Sequence, residues 1–289
     1  MRQSSKVYVK FPKIGLGNLL LHWAKGFAFA KKYNLELYKS SWWAFRPGPW
    51  LRREKNKRVY WGYLKEDSFI QKISLFFFKL KAEKIYEPSE KVNSGKNILY
   101  IFKKFHVDGD YFKEAKPYRD ELKQEIYKML EPRLKKKLEQ FDPPEIGIHI
   151  RRGDFKLGSY ITPNQFFIDV ITRIRKECNR NLHVTVFTDA ADNELQDIFS
   201  LPNVTRAESK ADILDILLLS QSKICILSIS STFSLWAGFL SEGIVIKHPE
   251  EWHPDIRPEE VNIKYFEGKS VADNEELPQL LKDNLSELH

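Results

Sequence analysis

Short runs of alternating apolar and polar residues occur in both halves of the chain, and they predict β-strands. The first run, Lys6–Phe11, ends at a turn containing glycine. Apolar residues then recur at helical spacing from Leu19 to Tyr33, and a second short strand follows at 35–38. Strand, helix and strand in this order predict the beginning of a parallel sheet covered by helices.

The second half alternates more regularly between strand and helix patterns. Strands are predicted at 145–150, 183–188, near Val204, at 224–227 and at 244–246, and helices at 163–177, 192–199, 211–221 and 232–240. Thr162 and Pro163 are expected as N-cap and first residue of their helix. This alternation predicts an α/β fold with a second parallel, Rossmann-like sheet.

The domain boundary is predicted near Gln140 to Pro144, where the chain contains the sharp break Asp142-Pro-Pro144. We therefore expect an N-terminal Rossmann-like domain at 1–142 and a C-terminal one at 143–289, whose last segment could pack back on the first domain. Between the two patterns, a strand is predicted at 97–102. A long amphipathic helix is predicted at 113–138, kinked or split at Pro132.

Two further segments of the first half are assigned to ordinary structural roles. The Phe76-Phe-Phe78 run is expected in the hydrophobic core, which is the usual place for such residues. The Asp108-Gly-Asp110 segment could suggest a metal site, but we favour a turn.

Length and composition limit the function classes. The 289 residues allow two domains, and the two cysteines, Cys178 and Cys225, predict no disulfide framework and a reducing compartment. Without a long apolar run or an apolar leader, we expect a cytoplasmic protein. The formal charge of +8 is compatible with nucleic acid, an anionic membrane or an anionic substrate. No nucleic-acid-binding motif accompanies it, so no nucleic acid partner is expected.

The strongest candidate chemistry follows the predicted strand 145–150. His149, Arg151, Arg152, Gly153 and Asp154 lie within six positions there. Guanidinium groups bind phosphate oxygens bidentately, and glycine permits close approach of a ligand to the backbone. Ligands of α/β sheets bind at this edge. The alternative is a pair of surface salt-bridging arginines.

Other polar residues follow strands or begin helices. Asp189 follows strand 183–188, where a carboxylate could accept hydrogen bonds from a purine or ribose. The alternative is a turn residue or an N-cap. Ser231, Thr232 and Phe233 begin the helix at 232–240, where hydroxyl and backbone donors can bind phosphate or merely cap the helix. Near the N-terminus, Gly15, Gly17 and Asn18 form a turn into the first helix, with Asn18 as the expected N-cap.

Tryptophans and tyrosines alternate with arginines and lysines between Ser41 and Trp61. Three interpretations remain open, in decreasing order of preference: packing of an irregular loop, stacking on sugar rings, and contact with an anionic membrane surface. The second assigns Trp50 and Trp61 to an acceptor site. The third predicts a peripheral contact with the inner face of the membrane.

These residues resemble those of a known family. The segments 149–154 and 228–236 are similar to two motifs of the α1,2-fucosyltransferases, a glycosyltransferase family 11-like group that uses GDP-fucose. The turn at Gly15, Gly17 and Asn18 also matches. Leu19 and Ala190 depart from the family pattern, each replacing a polar residue.

The resemblance implies a GT-B-like fold of two Rossmann-like domains facing a cleft. It also implies an inverting transfer of fucose to a galactoside hydroxyl, in α1,2 linkage, of an oligosaccharide or lipid-linked glycan. Arg152 and Asp154 are the catalytic candidates, and no metal or other cofactor is expected. The donor-binding candidates are His149, Arg151, Arg152, Asp189, Ser231, Thr232, Phe233, Gly15, Gly17 and Asn18. A different nucleotide sugar, or carbohydrate binding without catalysis, remains an alternative.

Overall fold

The computed structural model describes residues 5–44, 51, 59–92, 96–105, 109–153, 161–209, 211–270 and 275–288. The chain divides into two compact units, Met1–Pro132 and Arg133–His289. The predicted boundary lay after residue 142. The segment 133–142 therefore folds with the second unit.

The first unit is built on a four-stranded parallel sheet in the order β2-β1-β4-β3. Its strands are β1 Ser5–Val9, β2 Glu36–Lys39, β3 Glu83–Tyr86 and β4 Ile98–Phe102. Its longer helices are α1 Leu16–Lys32, α2 Phe69–Lys81 and α3 Arg119–Met129. The sequence did not predict β3, a short edge strand whose residues are mostly exposed.

Helix α1 packs closely on the first strand. Gly26 lies against the side chain of Val9, where a Cβ atom would overlap it. The predicted N-cap, Asn18, is wrong, because α1 begins at Leu16 with Gly15 in the N-cap position. The amide of Leu16 donates a 2.9 Å hydrogen bond to the hydroxyl of Tyr60, which satisfies one of the free N–H groups of the helix end.

Helix α2 contradicts the expectation of a phenylalanine core. Phe76 and Phe77 are exposed, and Phe78 is half-buried. Leu75 is the buried residue of this helix. The expectation failed because burial of an apolar side chain requires a neighbouring element, which a local pattern cannot reveal.

Pro132 splits the long amphipathic segment, as predicted. Helix α3 ends at Met129, and α4 runs over Pro132–Leu138. The first part differs from the prediction, because α3 begins at Arg119 after a short 3-10 turn at Lys116–Tyr118. The predicted apolar face is buried: Leu122, Ile126, Leu130 and Leu134.

The second unit contains a six-stranded parallel sheet in the order β10-β9-β8-β5-β6-β7. Its strands are β5 Ile146–Ile150, β6 Val184–Thr188, β7 Val204–Arg206, β8 Ile224–Ile226, β9 Ile244–Lys247 and β10 Glu267–Lys269. Its further helices are α5 Asn164–Glu177, α6 Gln196–Phe199, α7 Asp212–Ser220, α8 Thr232–Leu240, α9 Glu259–Asn262 and α10 Gln279–Ser286.

Strand β5 has β6 on one side and β8 on the other, so the strand order reverses there. Such a switch point opens a crevice at the carboxyl edge of a parallel sheet. The final helix, α10, packs on α5 within the second unit. Packing of the last segment on the first domain stays a prediction. Among the described residues, no helix has the length and apolar character needed to cross a bilayer.

Candidate functional site

Three loops meet at the carboxyl edge of the second sheet, after β5, β6 and β8. The amide of Arg151 donates to Ser228 Oγ at 3.1 Å, and Ser228 Oγ donates to the carbonyl of His149 at 2.6 Å. The amide of Arg152 donates to Asp189 Oδ1 at 2.8 Å. The switch point therefore brings together the three segments that the sequence singled out.

The two arginines occupy different environments. The side chain of Arg151 is 23% exposed, and its Nη1 lies 2.5 Å from Asp189 Oδ2. Arg152 is only 7% exposed. Its guanidinium donates to the carbonyl of Arg151 at 3.0 Å and to Asn164 Oδ1. The more accessible guanidinium at this edge is thus that of Arg151.

Polar groups surround the buried guanidinium of Arg152. Asn164, which accepts from it, donates in turn to the carbonyl of Glu194 at 2.9 Å and to Asp197 Oδ1 at 2.8 Å. Burial lowers the pKa of Arg152, while the charges of Glu194, Asp189 and Asp197 act in the opposite direction. These contacts connect Arg152, just after β5, to Asn164 at the start of α5.

Position 153 requires glycine because the side chain of Asp189 lies close to its backbone. A positive φ angle is not the reason. A Cβ atom there would overlap the carboxylate of Asp189. Since this carboxylate also binds Arg151 and Arg152, a larger residue at 153 would displace the acceptor that both arginines share.

His149 is buried at the end of β5. Its ring stacks on Phe233 with centroids 4.5 Å apart, and its Nδ1 lies 2.5 Å from Ser234 Oγ. Burial, assisted by the positive charge of Arg151, lowers the pKa of His149 to about 3. The imidazole is therefore neutral near pH 7 and acts as a packing and hydrogen-bonding group.

The loop after β8 is held by residues distant in sequence. Thr162 Oγ1 accepts from the amide of Ile229 at 2.9 Å, and Glu251 Oε2 accepts from the amide of Ser230 at 2.7 Å. Ser230 has a positive φ of 53°, which is unusual for a residue with a side chain. The predicted N-cap role of Thr162 is wrong, because Pro163 occupies that position.

The hydroxyls expected near phosphate lie at the start of α8. Ser231 is the N-cap, with Oγ accepting from the amide of Ser234, and Thr232 and Phe233 are the first helical residues. Sequence reasoning missed the support from Thr162, Asn164 and Glu251. Only the Thr-Pro pair at 162–163 gave a local signal, and it indicated a helix cap.

The remaining candidates lie in the first unit or outside the described residues. Gly17 and Asn18 are in the first turn of α1, and Asn18 Oδ1 is buried without a hydrogen-bond partner in the described part of the chain. Trp61 is exposed. Trp50, Asp108 and Asp154 fall outside the described residues, so their predicted roles stay predictions. The described residues contain no group of three or more His, Cys, Asp or Glu suited to a metal.

Comparison with known proteins identifies the family. The model of glycosyl transferase family 11 matches residues 88–259, more than half of the chain. The chain belongs to glycosyl transferase family 11. The predicted family is confirmed, and the match includes the loops after β5, β6 and β8 of this family 11 protein. No curated protein sequence matches the chain.

Solved structures similar to this family 11 protein include fucosyltransferase NodZ from Bradyrhizobium. That structure has 15% sequence identity and a TM-score of 0.52, over 84% of this chain and 95% of that chain. A NodZ α1,6-fucosyltransferase co-crystallised with GDP has 14% identity and a TM-score of 0.56, over 88% and 97%. The similarity confirms the α/β, GT-B-like fold class with parallel sheets.

Proposed function

We propose that this family 11 glycosyltransferase transfers fucose from GDP-fucose. The observation that carries the proposal is the hydrogen-bonded junction of three loops at the switch point, with the partly exposed guanidinium of Arg151 held there by Asp189. Family membership supports it, as do NodZ structures obtained with GDP and with GDP-fucose.

We assign binding of the GDP diphosphate to Arg151 rather than to Arg152. The sequence alone favoured Arg152, but exposure favours its neighbour, since a guanidinium must reach solvent to meet a ligand. In this proposal Arg152, buried against Asn164, positions the backbone from which Arg151 projects. Asp189 orients Arg151, and in this proposal phosphate oxygens of the donor take over part of that pairing.

The proposed reaction inverts the anomeric centre. An acceptor hydroxyl oxygen forms a bond to C1 of fucose as the bond from C1 to the β-phosphate oxygen breaks. Negative charge grows on the departing GDP, where Arg151 and donors at Ser231 and Thr232 stabilise it. A base takes the hydroxyl proton, and Asp154 remains the candidate. A preplaced guanidinium can supply the positive charge, so no metal is required.

For the acceptor, we propose a galactoside and an α1,2 linkage, as the resemblance implies. Exposed Trp61 is a candidate for stacking on a sugar ring. A different GDP-sugar is the second candidate, favoured by the departures at Leu19 and Ala190. In the structure both residues are buried and apolar.

Ligand-dependent unfolding tests the donor. GDP at about 100 times its Kd should stabilise the protein by roughly 2.7 kcal/mol, and UDP or CMP at the same concentration by less. The thermal shift with GDP should be equal with and without EDTA. Stabilisation that needs a divalent ion would contradict the metal-independent site, and a larger shift with UDP would contradict the guanine nucleotide. Linkage in the product, read by NMR, then tests α1,2 transfer.

A further inference from the structure

One side of helix α2 is fixed to its own sheet. Leu75 is buried in a cluster with Tyr38, Leu99 and Ile101, and half-buried Phe78 packs against the same cluster. The N-terminus is capped, since Ser68 Oγ accepts from the amide of Gln71 and the Gln71 side chain accepts from the amide of Ser68. The helix is therefore a well-anchored element of the first unit.

The other side of α2 is a continuous exposed apolar stripe. Its six members are large, recur at helical spacing and are between 41% and 78% exposed: Phe69, Ile70, Ile73, Phe76, Phe77 and Leu80. At about 100° per residue they cover an arc of roughly 120°. Contiguous apolar surface of this kind marks an interaction site, whereas scattered exposed apolar residues do not.

Lysines border the stripe. Lys72 adjoins it on one side of the helix, Lys81 adjoins it on the other, and exposed Lys84 lies just beyond the C-terminus. The helix itself contains no acidic residue. An apolar face of Phe, Ile and Leu flanked by lysines has the composition of helices that lie in the interface of an anionic bilayer.

We propose that α2 docks the protein on an anionic lipid surface. The six apolar side chains enter the boundary between headgroups and acyl chains, and the bordering lysines contact lipid phosphates. Pairing with a second copy is less favourable, because it would bring two sets of lysines together without acidic residues of α2 between them. The proposal does not depend on which sugar nucleotide the second unit binds.

Vesicle co-sedimentation of the full chain tests the proposal. Phosphatidylcholine vesicles containing phosphatidylglycerol should bind at least about tenfold more tightly than pure phosphatidylcholine vesicles. Replacing Phe76 and Phe77 together by Gln should weaken this binding about tenfold or more. Replacing Lys72 and Lys81 by Gln should cost roughly fivefold per residue at low salt. The matched control is Ile263→Gln, an exposed apolar position in the second unit, which should leave vesicle binding unchanged.

Three results of the vesicle experiment would overturn the proposal. They are absence of vesicle binding, equal binding to the two vesicle types, and wild-type binding by the Phe76 and Phe77 variant. Sedimentation equilibrium tests whether a second copy of the chain covers the stripe instead. A dimer that is abolished by the same double substitution would assign the stripe to that second copy. Circular dichroism monitors folding. If the phenylalanine variant failed to fold, two other measurements would test the proposal: vesicle binding by the lysine variant and the salt dependence of vesicle binding by the wild type. Unchanged binding in both would overturn it.

Discussion

Arg152 in the second unit is 7% exposed, whereas Phe76 and Phe77 in the first unit are 58% and 60% exposed. These two regions depart from the usual burial pattern in opposite directions. At the sheet edge, a charged side chain is buried because Asn164 and a backbone carbonyl accept its hydrogen bonds. On α2, apolar side chains are exposed because no described element covers that side of the helix.

Both departures have an energetic cost, and in both regions that cost is tolerated without loss of the fold. A buried guanidinium loses hydration, and exposed phenylalanines forfeit the burial that normally stabilises a helix. Such costs are typical of sites shaped by a ligand or a surface rather than by folding alone. Mutations can test whether the buried guanidinium and the exposed stripe serve a ligand or a surface rather than the stability of the fold.

The largest effect is expected at Arg151. In Arg151→Ala, charge that develops on the departing diphosphate loses its guanidinium partner. We expect kcat/KM to fall on the order of a hundredfold or more. This corresponds to a loss of roughly 3–5 kcal/mol of transition-state stabilisation. Stability should change by at most about 1 kcal/mol, because the ion pair with Asp189 is partly exposed. Arg151→Lys should restore only part of the activity, since an ammonium cannot make the bidentate contact.

Arg152→Ala is the companion variant. It removes hydrogen bonds made by a buried charged group, so the free energy of unfolding should fall by about 2–3 kcal/mol. Transfer kinetics and urea unfolding of both variants measure the contrast. Near-normal transfer by Arg151→Ala would remove the proposed mechanism. An unfolding free energy unchanged by Arg152→Ala would contradict its positioning role.

A smaller contrast is expected within α2 itself. Leu75→Ala should destabilise the protein by about 2–3 kcal/mol, because Leu75 is buried against Leu99 and Ile101. Phe76→Ala, on the exposed side, should change stability by no more than about 0.5 kcal/mol. Denaturant unfolding compares the two neighbours directly. Equal losses would mean that the exposed stripe is covered in solution, by another part of the chain or by a second copy.

A pH-dependent effect on stability is expected at Asp215 in α7. Burial, with a contribution from Asp212, raises the pKa of Asp215 to about 7 from its ordinary 3.8, while its hydrogen bond with Ser209 and the charge of Lys137 oppose the change. The folded protein therefore holds a proton that the unfolded chain releases. Stability should fall as pH rises from about 4 to about 7, by on the order of 1 kcal/mol per unit.

The Asp215→Asn variant isolates this contribution. The difference in unfolding free energy between the wild type and Asp215→Asn should vary with pH below about 7 and become constant above it. Urea unfolding of both proteins at about pH 5, 6, 7 and 8 provides the measurement. Parallel pH profiles of the two proteins would show that Asp215 titrates normally.

The sequence by itself determined the kind and order of most elements. Apolar periodicity is local, so strands such as β5 and helices such as α8 were predicted to within a residue or so. Local patterns failed at β3 and β10, which are short edge strands with few buried residues to mark them. The arginine loop was also predictable, because its charges follow directly after a buried strand.

Only the tertiary structure decided which residues support the site and which apolar residues stay exposed. The contacts of Thr162 with Ile229 and of Glu251 with Ser230 join parts of the chain that no local pattern relates. The different exposure of Arg151 and Arg152 likewise depends on the position of Asn164 at the start of α5. A helical pattern shows that α2 is amphipathic, but burial is a property of the neighbours, and these are set by the fold.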